Sequence, residues 1–175
     1  CLVGSEMCIR DRQMKRALFE LQFESSLAKI PNFEILTDKG DFKVSNHLGK
    51  KIVVFFFPRA DTSGCTAESI AFTNLQKKFE HLNCIVIGIS KDSIESHEKF
   101  IKKQNLAISL LSDKNGTVCE DFGVWKEKSM YGKTYMGIER STFIIDGSGL
   151  VIKEWRKVKV PGHVNEVLQV IESFK

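Results

Sequence analysis

Two unbroken apolar runs, Ile52–Phe57 (IVVFFF) and Cys84–Ile89 (CIVIGI), stand out from a chain that otherwise interleaves apolar and polar residues. A strand with one wet face alternates, so a continuous run marks a strand buried on both sides, as in a sheet flanked by helices. Between the runs the period changes. Phe72, Leu75, Phe79 and Leu82 follow three-four-three spacing, one face of a helix that begins near Cys65. Thr62 or Ser63 is placed to cap this helix, and Glu68 to meet the positive end of its dipole. Strand, helix, strand in this order predicts a parallel βαβ unit with a right-handed crossover.

The pattern continues on both sides. Upstream, residues 30–51 (IPNFEILTDKGDFKVSNHLGKK) predict two short strands around the turn Asp38-Lys39-Gly40. Downstream, Asp92 and Glu95 form a capping pair for a helix with Ile94, His97 and Ile101 on one face. A strand follows at 107–113 (AISLLSD), then a short helix with Val118, Cys119 and Phe122 inward. Residues 141–146 and 150–155 flank Gly147-Ser148-Gly149 as a hairpin, and His163, Val164, Val167, Leu168 and Ile171 mark a closing helix. Without repeat, linker or low-complexity segment, residues 14–175 are expected to form one α/β domain with a central mixed sheet. Residues 1–13 fit none of these patterns, nor a signal or transit peptide, and are expected to be a non-native or disordered leader.

Composition narrows the function. The net charge of +4 is a mild excess, and its densest cluster (Lys153, Arg156, Lys157, Lys159) alternates with Val158 and Val160 as a solvated strand face would. With no basic stripe carrying stacking aromatics, no nucleic-acid partner is expected. No apolar run reaches the length of a membrane span, so no membrane partner is expected either. The five cysteines are odd in number and irregularly spaced, without a CxxC pair or a Cys/His cluster. Neither a disulfide framework nor a zinc site is indicated, and the reading is a reducing, cytoplasmic setting. His47, His81, His97 and His163 are scattered and read as surface or packing residues. Trp125 and Tyr131 could line a pocket rim, but aromatics in a connecting segment usually pack.

One cysteine is placed for chemistry. In an open α/β sheet the reactive site lies at the carboxyl ends of the parallel strands, and Cys65 follows such an end at the first turn of the next helix. A helix amino terminus and a nearby cation favour the thiolate, and the free N–H groups there can hold a developing anion. Thr62 offers a hydroxyl to the sulfur or to a bound oxygen. A core cysteine would need neither Thr62 and Gly64 before it nor Pro58 pinning the loop.

The stretch PRADTSGC, residues 58–65, resembles the Pro-x-x-x-Thr-x-x-Cys motif of peroxiredoxins. With IGISKDS, FGVWKEKSMYGKTYMGIERSTFIIDGSG and HVNEVL, the chain is similar over roughly residues 30–174 to the bacterioferritin comigratory protein, or peroxiredoxin Q, subfamily. The resemblance implies a thioredoxin-like fold with an N-terminal β-hairpin, and reduction of hydrogen peroxide and organic hydroperoxides with no cofactor. It implies that Cys65 attacks the peroxide and becomes a sulfenic acid. Thr62 would orient the peroxide, Pro58 and Gly64 would shape its pocket, and Arg140 would stabilise the thiolate and polarise the peroxide. Glu68 would support the loop or helix start.

The chain departs from the subfamily where a resolving cysteine is usual: Ile70 and Ile101 stand at the two positions. Cys84 falls at the far end of the sheet and reads as core. Cys119, on a helix starting from the same edge as Cys65, is nearer but has apolar neighbours. The expectation is a monomeric one-Cys peroxidase, reduced by thioredoxin or by glutaredoxin with glutathione. A thioredoxin-type disulfide oxidoreductase fails because Thr62 occupies the place of the first cysteine of CxxC. The alternative is a non-enzymatic redox-sensing or chaperone module of the same fold.

Overall fold

The computed structural model describes residues 34–37 and 40–174. The expected leader, and Asp38 and Lys39 of the first turn, lie outside them. The elements run β1 (Glu34–Thr37), β2 (Gly40–Lys43), a 3-10 turn (Val44–His47), β3 (Lys51–Phe56), α1 (Ser63–His81) and β4 (Cys84–Ser90). Then come α2 (Ile94–Gln104), β5 (Ser109–Ser112), α3 (Val118–Asp121), β6 (Trp125–Met130) and β7 (Lys133–Ile138). β8 (Ser141–Ile145), β9 (Val151–Trp155) and α4 (His163–Ser173) close the chain.

Seven strands form one mixed sheet in the order β2-β1-β5-β4-β3-β8-β9. β3 pairs in parallel with β4, and β4 with β5, while β8 lies antiparallel to β3. The expected N-terminal hairpin extends this sheet, with Thr37 opposite Leu111.

β3 shows why its run is unbroken. Val53, Phe55 and Phe57 point into one layer, with Phe72 and Phe79 of α1, Phe100 of α2 and Val167 and Ile171 of α4. Ile52, Val54 and Phe56 point into the other, with Phe122, Val124 and Phe143. All six are at most 1% exposed. At about 1.5–3 kcal/mol for each large side chain buried, this strand is a principal source of the fold's stability. Gly88 in β4 makes room: a Cβ there would lie 2.6 Å from Phe55 Cζ and 2.8 Å from Leu110 Cδ2.

The structure corrects four expectations. The α1 N-cap is Thr62, but its hydroxyl donates to the Arg59 carbonyl at 3.0 Å instead of capping the helix. The α2 cap is Ser93, which accepts from the Ser96 N–H; Asp92 turns away to hold the loop after β3. Residues 125–138 form a β6–β7 hairpin through Tyr131 and Gly132, both at positive φ (52° and 73°), as a primed two-residue turn requires. Neither strand alternates: WKEKSM has three charges in a row, and KTYMGI runs from polar to apolar. Finally, β9 ends at Trp155, so of the basic cluster only Lys153 lies on a strand. Arg156 instead lies over the Phe143 ring, 5.0 Å from its centroid, and donates to the Gly123 carbonyl.

Candidate active site

The chain leaves β3 at its carboxyl end, where the Phe57 N–H donates to the Ile89 carbonyl at 3.1 Å. Pro58 follows, exposed, at the start of the loop. The Ala60 N–H donates to Asp92 Oδ2 at 2.7 Å, and the same oxygen accepts the Ser90 hydroxyl at 2.7 Å. That hydroxyl has one proton to give, so His97 Nε2, 2.7 Å from it, is the donor of their bond. A buried network at the end of β4 therefore fixes the loop. Asp61, at φ 61°, then turns the chain into α1 and pairs with Lys103.

The first α1 bond runs from the Thr66 N–H to the Thr62 carbonyl, so the N–H groups of Gly64 and Cys65 precede the helical ladder. Cys65 is fully buried. Arg140 Nη2 donates to its sulfur at 3.3 Å, while Nη1 donates to Glu68 Oε2 at 2.5 Å. Glu68, three residues after Cys65, is on the same face of the helix. The pairing of Phe56 with Ser141 brings Arg140 to the carboxyl end of β3, which closes the 75-residue separation from Cys65. The Arg140 carbonyl is held in turn by the Val158 N–H at 2.9 Å. Gly64 lies against the guanidinium: a Cβ there would sit 3.1 Å from Nη2.

Thus Cys65, Arg140, Glu68 and Gly64 meet at one point. Pro58 and Thr62 belong to the adjoining loop, with the Thr62 hydroxyl engaged at Arg59. Glu68 is not at the positive end of the helix as expected, since no acidic residue occupies the first turn; it grips Arg140 instead.

Burial shapes the charges. It pushes the Glu68 carboxyl up to about 7, with Arg140 pulling the other way. Glu68 Oε1 has no hydrogen-bond partner among the described residues. Burial also opposes the Arg140 charge, but Glu68 and Cys65 outweigh it and raise the guanidinium above its ordinary value. Lys128, on β6, is held below the usual lysine range by burial and then by Arg140, against the pull of Glu139 and Cys65.

The other described cysteines are placed differently. Cys84 opens β4 opposite Lys51, at the far end of the sheet from the carboxyl ends, and burial pushes its thiol up to about 12. Cys119, expected to be nearer Cys65 than Cys84 is, is buried among apolar neighbours as the sequence suggested. It lies in the core layer on the opposite face of the sheet, and burial followed by Asp113 pushes its thiol up. Trp125 and Tyr131 fall on the β6–β7 hairpin: Trp125 lies beneath the Lys91 ammonium, and Tyr131 is 97% exposed. His97 and His163 are buried packing residues, His163 bonded to the Thr142 hydroxyl.

Sequence reasoning missed Asp92 as the loop clamp. Asp92 was legible only as a cap.

The fold is thioredoxin-like, and the chain is an enzyme, a thiol-dependent peroxidase. It belongs to the AhpC/TSA family, whose model matches residues 27–154, and within that family to the bacterioferritin comigratory protein or peroxiredoxin Q group. Peroxiredoxin Bcp of Bacillus subtilis is 48% identical over 147 residues, covering 83% of this chain and 94% of the relative. Peroxiredoxin Bcp of Escherichia coli is 36% identical over 144 residues, covering 82% and 92%. Among solved structures, the Xanthomonas campestris bacterioferritin comigratory protein, described for its alkyl peroxide reduction activity, superposes with a TM-score of 0.78. It is 36% identical and covers 84% of this chain and 98% of that one.

Proposed function

We propose that Cys65 is the peroxide-reactive thiol and that the enzyme works with this one cysteine. The contact of Arg140 Nη2 with its sulfur carries the reading. The thiolate attacks the terminal oxygen of a hydroperoxide ROOH; the S–O bond forms, the O–O bond breaks, and RO⁻ leaves as ROH after taking a proton. Arg140 and the N–H groups of Gly64 and Cys65 stabilise the negative charge as it moves from sulfur to oxygen. Pro58 and Thr62 border the approach, with Thr62 turning its hydroxyl from Arg59 to the peroxide, and Glu68 holds Arg140 in place.

An external thiol then attacks the sulfenic sulfur, releasing water and forming a mixed disulfide. A second thiol frees Cys65. Thioredoxin, or glutaredoxin with glutathione, has the chemistry for both steps. The one-Cys reading is supported by Ile70 and Ile101 at the usual resolving positions, Cys84 at the wrong end of the sheet and Cys119 across it. Three unpaired described cysteines favour the cytoplasm.

Cys65→Ser should abolish peroxide consumption, since a serine hydroxyl is not ionised at neutral pH. One equivalent of peroxide should leave a Cys65 sulfenic acid that dimedone traps. Near-wild-type turnover by the serine variant would overturn the assignment, and a Cys65–Cys119 disulfide in peptide maps would overturn the one-Cys mechanism.

A further inference from the structure

The loop that carries Pro58 and Thr62 is held from outside itself. Its own Thr62 hydroxyl returns to its own Arg59 carbonyl. Asp61, at φ 61°, keeps a left-handed conformation that a residue with a Cβ rarely adopts, directly before the helix that bears Cys65. Two side chains reach the loop, one from each end of α2, and they differ in strength. Lys103 pairs with the Asp61 carboxylate at 2.7 Å, but the two side chains are 62% and 48% exposed, where water and salt screen them. Asp92, only 19% exposed, accepts the N–H of the buried Ala60 at 2.7 Å, a charge-assisted bond.

The clamping carboxylate is itself built into the sheet. Ser112 of β5 donates to the Asp92 carbonyl at 2.5 Å, and the Asp92 N–H donates to Ser90 Oγ at 3.2 Å, so its backbone is fixed on both sides. Ser90, fully buried at the end of β4, gives its proton to Asp92 Oδ2, and His97 donates to Ser90 in turn. His97 Nε2 stays 4.0 Å from Oδ2, beyond hydrogen-bond reach, so it aims the carboxylate through Ser90. The His97 ring also lies 5.7 Å from that of Phe57, the residue before Pro58.

We propose that Asp92 is a positioning residue of the peroxidase: its carboxylate, aimed by Ser90 and His97, sets the Ala60 peptide and so places Thr62 and the first N–H groups of α1 at the peroxide. The inference rests on Cys65 being the peroxide-reactive thiol. Asp92 exchanges no proton and acts only through the backbone of the loop. Arg140 reaches the sulfur from the residue before β8, so losing the clamp leaves that contact and displaces the groups that face it.

The test is the rate constant for oxidation of the full chain by hydrogen peroxide, measured beside the rate at which iodoacetamide alkylates Cys65. Asp92→Ala should slow oxidation by up to about 10²-fold, the scale of a misplacement of about 1 Å. It should not slow alkylation, which needs no oriented peroxide. Asp92→Asn keeps an acceptor oxygen and should recover most of the rate. Ser90→Ala leaves the carboxylate unaimed. It should slow oxidation less than Asp92→Ala does, and no further when added to it, because both act on the Ala60 bond. Lys103→Met, which loses an exposed pair, should change the rate by less than about twofold. An asparagine variant as slow as the alanine one, equal losses of oxidation and alkylation, or additive losses at Asp92 and Ser90 would each overturn the proposal. So would Ser90→Ala alone at the wild-type rate, a result that needs no stable Asp92→Ala protein. Cys65→Ser, run in parallel, separates the two levels. Continued peroxide consumption there defeats the assignment of Cys65, whereas wild-type rates in the Asp92 variants defeat this proposal alone.

Discussion

Cys65 and Cys119 are both fully buried, yet they sit in opposite electrostatic settings. Cys119, across the sheet, has the Asp113 carboxylate against its helix start: Asp113 Oδ2 accepts the Cys119 N–H at 2.8 Å. Burial and that anion both favour the neutral thiol. Cys65 has an arginine against its sulfur instead. Burial, the property by which a cysteine is usually judged inert, does not separate the two. The sign of the neighbouring charge does.

The sharpest way to break this contrast is to remove the charge. Peroxide at one equivalent should oxidise Cys65 and leave Cys84 and Cys119 reduced, as mass spectrometry of the digested protein would show. Arg140→Met should slow oxidation of Cys65 roughly 10²-fold, the scale for losing one aligned donor at a developing charge. Arg140→Lys should fall between, because an ammonium cannot serve Glu68 and Cys65 as two fixed prongs do. If Cys119 is oxidised as fast as Cys65, or the methionine variant reacts normally, the neighbouring charge is not what distinguishes them.

Much of this contrast was legible in the chain. The runs at β3 and β4 and the three-four spacing of α1 already placed Cys65 at the carboxyl end of a parallel strand. That follows because local periodicity reports burial, and burial fixed these elements. The partners of Cys65 were less legible. Arg140 reaches it through the antiparallel register of β3 and β8, a pairing that no local pattern encodes; only the family resemblance named it. Glu68 was misread because its position near a helix start suggested the dipole, whereas Arg140, 72 residues further along the chain, decides its orientation. The β6–β7 hairpin was invisible because its strands lack alternation. The face of the sheet on which Cys119 lies was not legible either: sharing an edge of the sheet says nothing about which face a helix covers.

Glu68 turns the same electrostatics into a stability effect. Its carboxyl is raised in the folded protein, from 4.5 to about 7, so the native state binds the proton more tightly than the unfolded chain. Stability from this group is therefore present below 4.5 and is lost as pH rises towards 7. The full loss is on the order of 3 kcal/mol from the size of the shift. Glu68→Gln cannot ionise and should flatten the stability profile across that window, as denaturant melts at several pH values would reveal. A glutamine variant with the wild-type slope would show that Glu68 is ionised throughout and fully compensated by Arg140.

Gly64 offers the smallest and most discriminating change. Nothing in its backbone demands glycine, since it lies within α1 and is not at positive φ. Alanine there should therefore stabilise the helix by up to about 1 kcal/mol. The added methyl, however, would meet Arg140 Nη2 at 3.1 Å, the same nitrogen that donates to the Cys65 sulfur. The guanidinium must shift by a few tenths of an ångström, and it can do so by loosening its bond to the sulfur while keeping the one to Glu68. Gly64→Ala is thus expected to raise the melting temperature while slowing peroxide reduction a few-fold, a split that general destabilisation would not produce. Calorimetry and rate measurements on the same preparation check both halves. If the rate is unchanged, Arg140 does not need its observed distance from sulfur, and the contact that distinguishes Cys65 from Cys119 would act through charge alone.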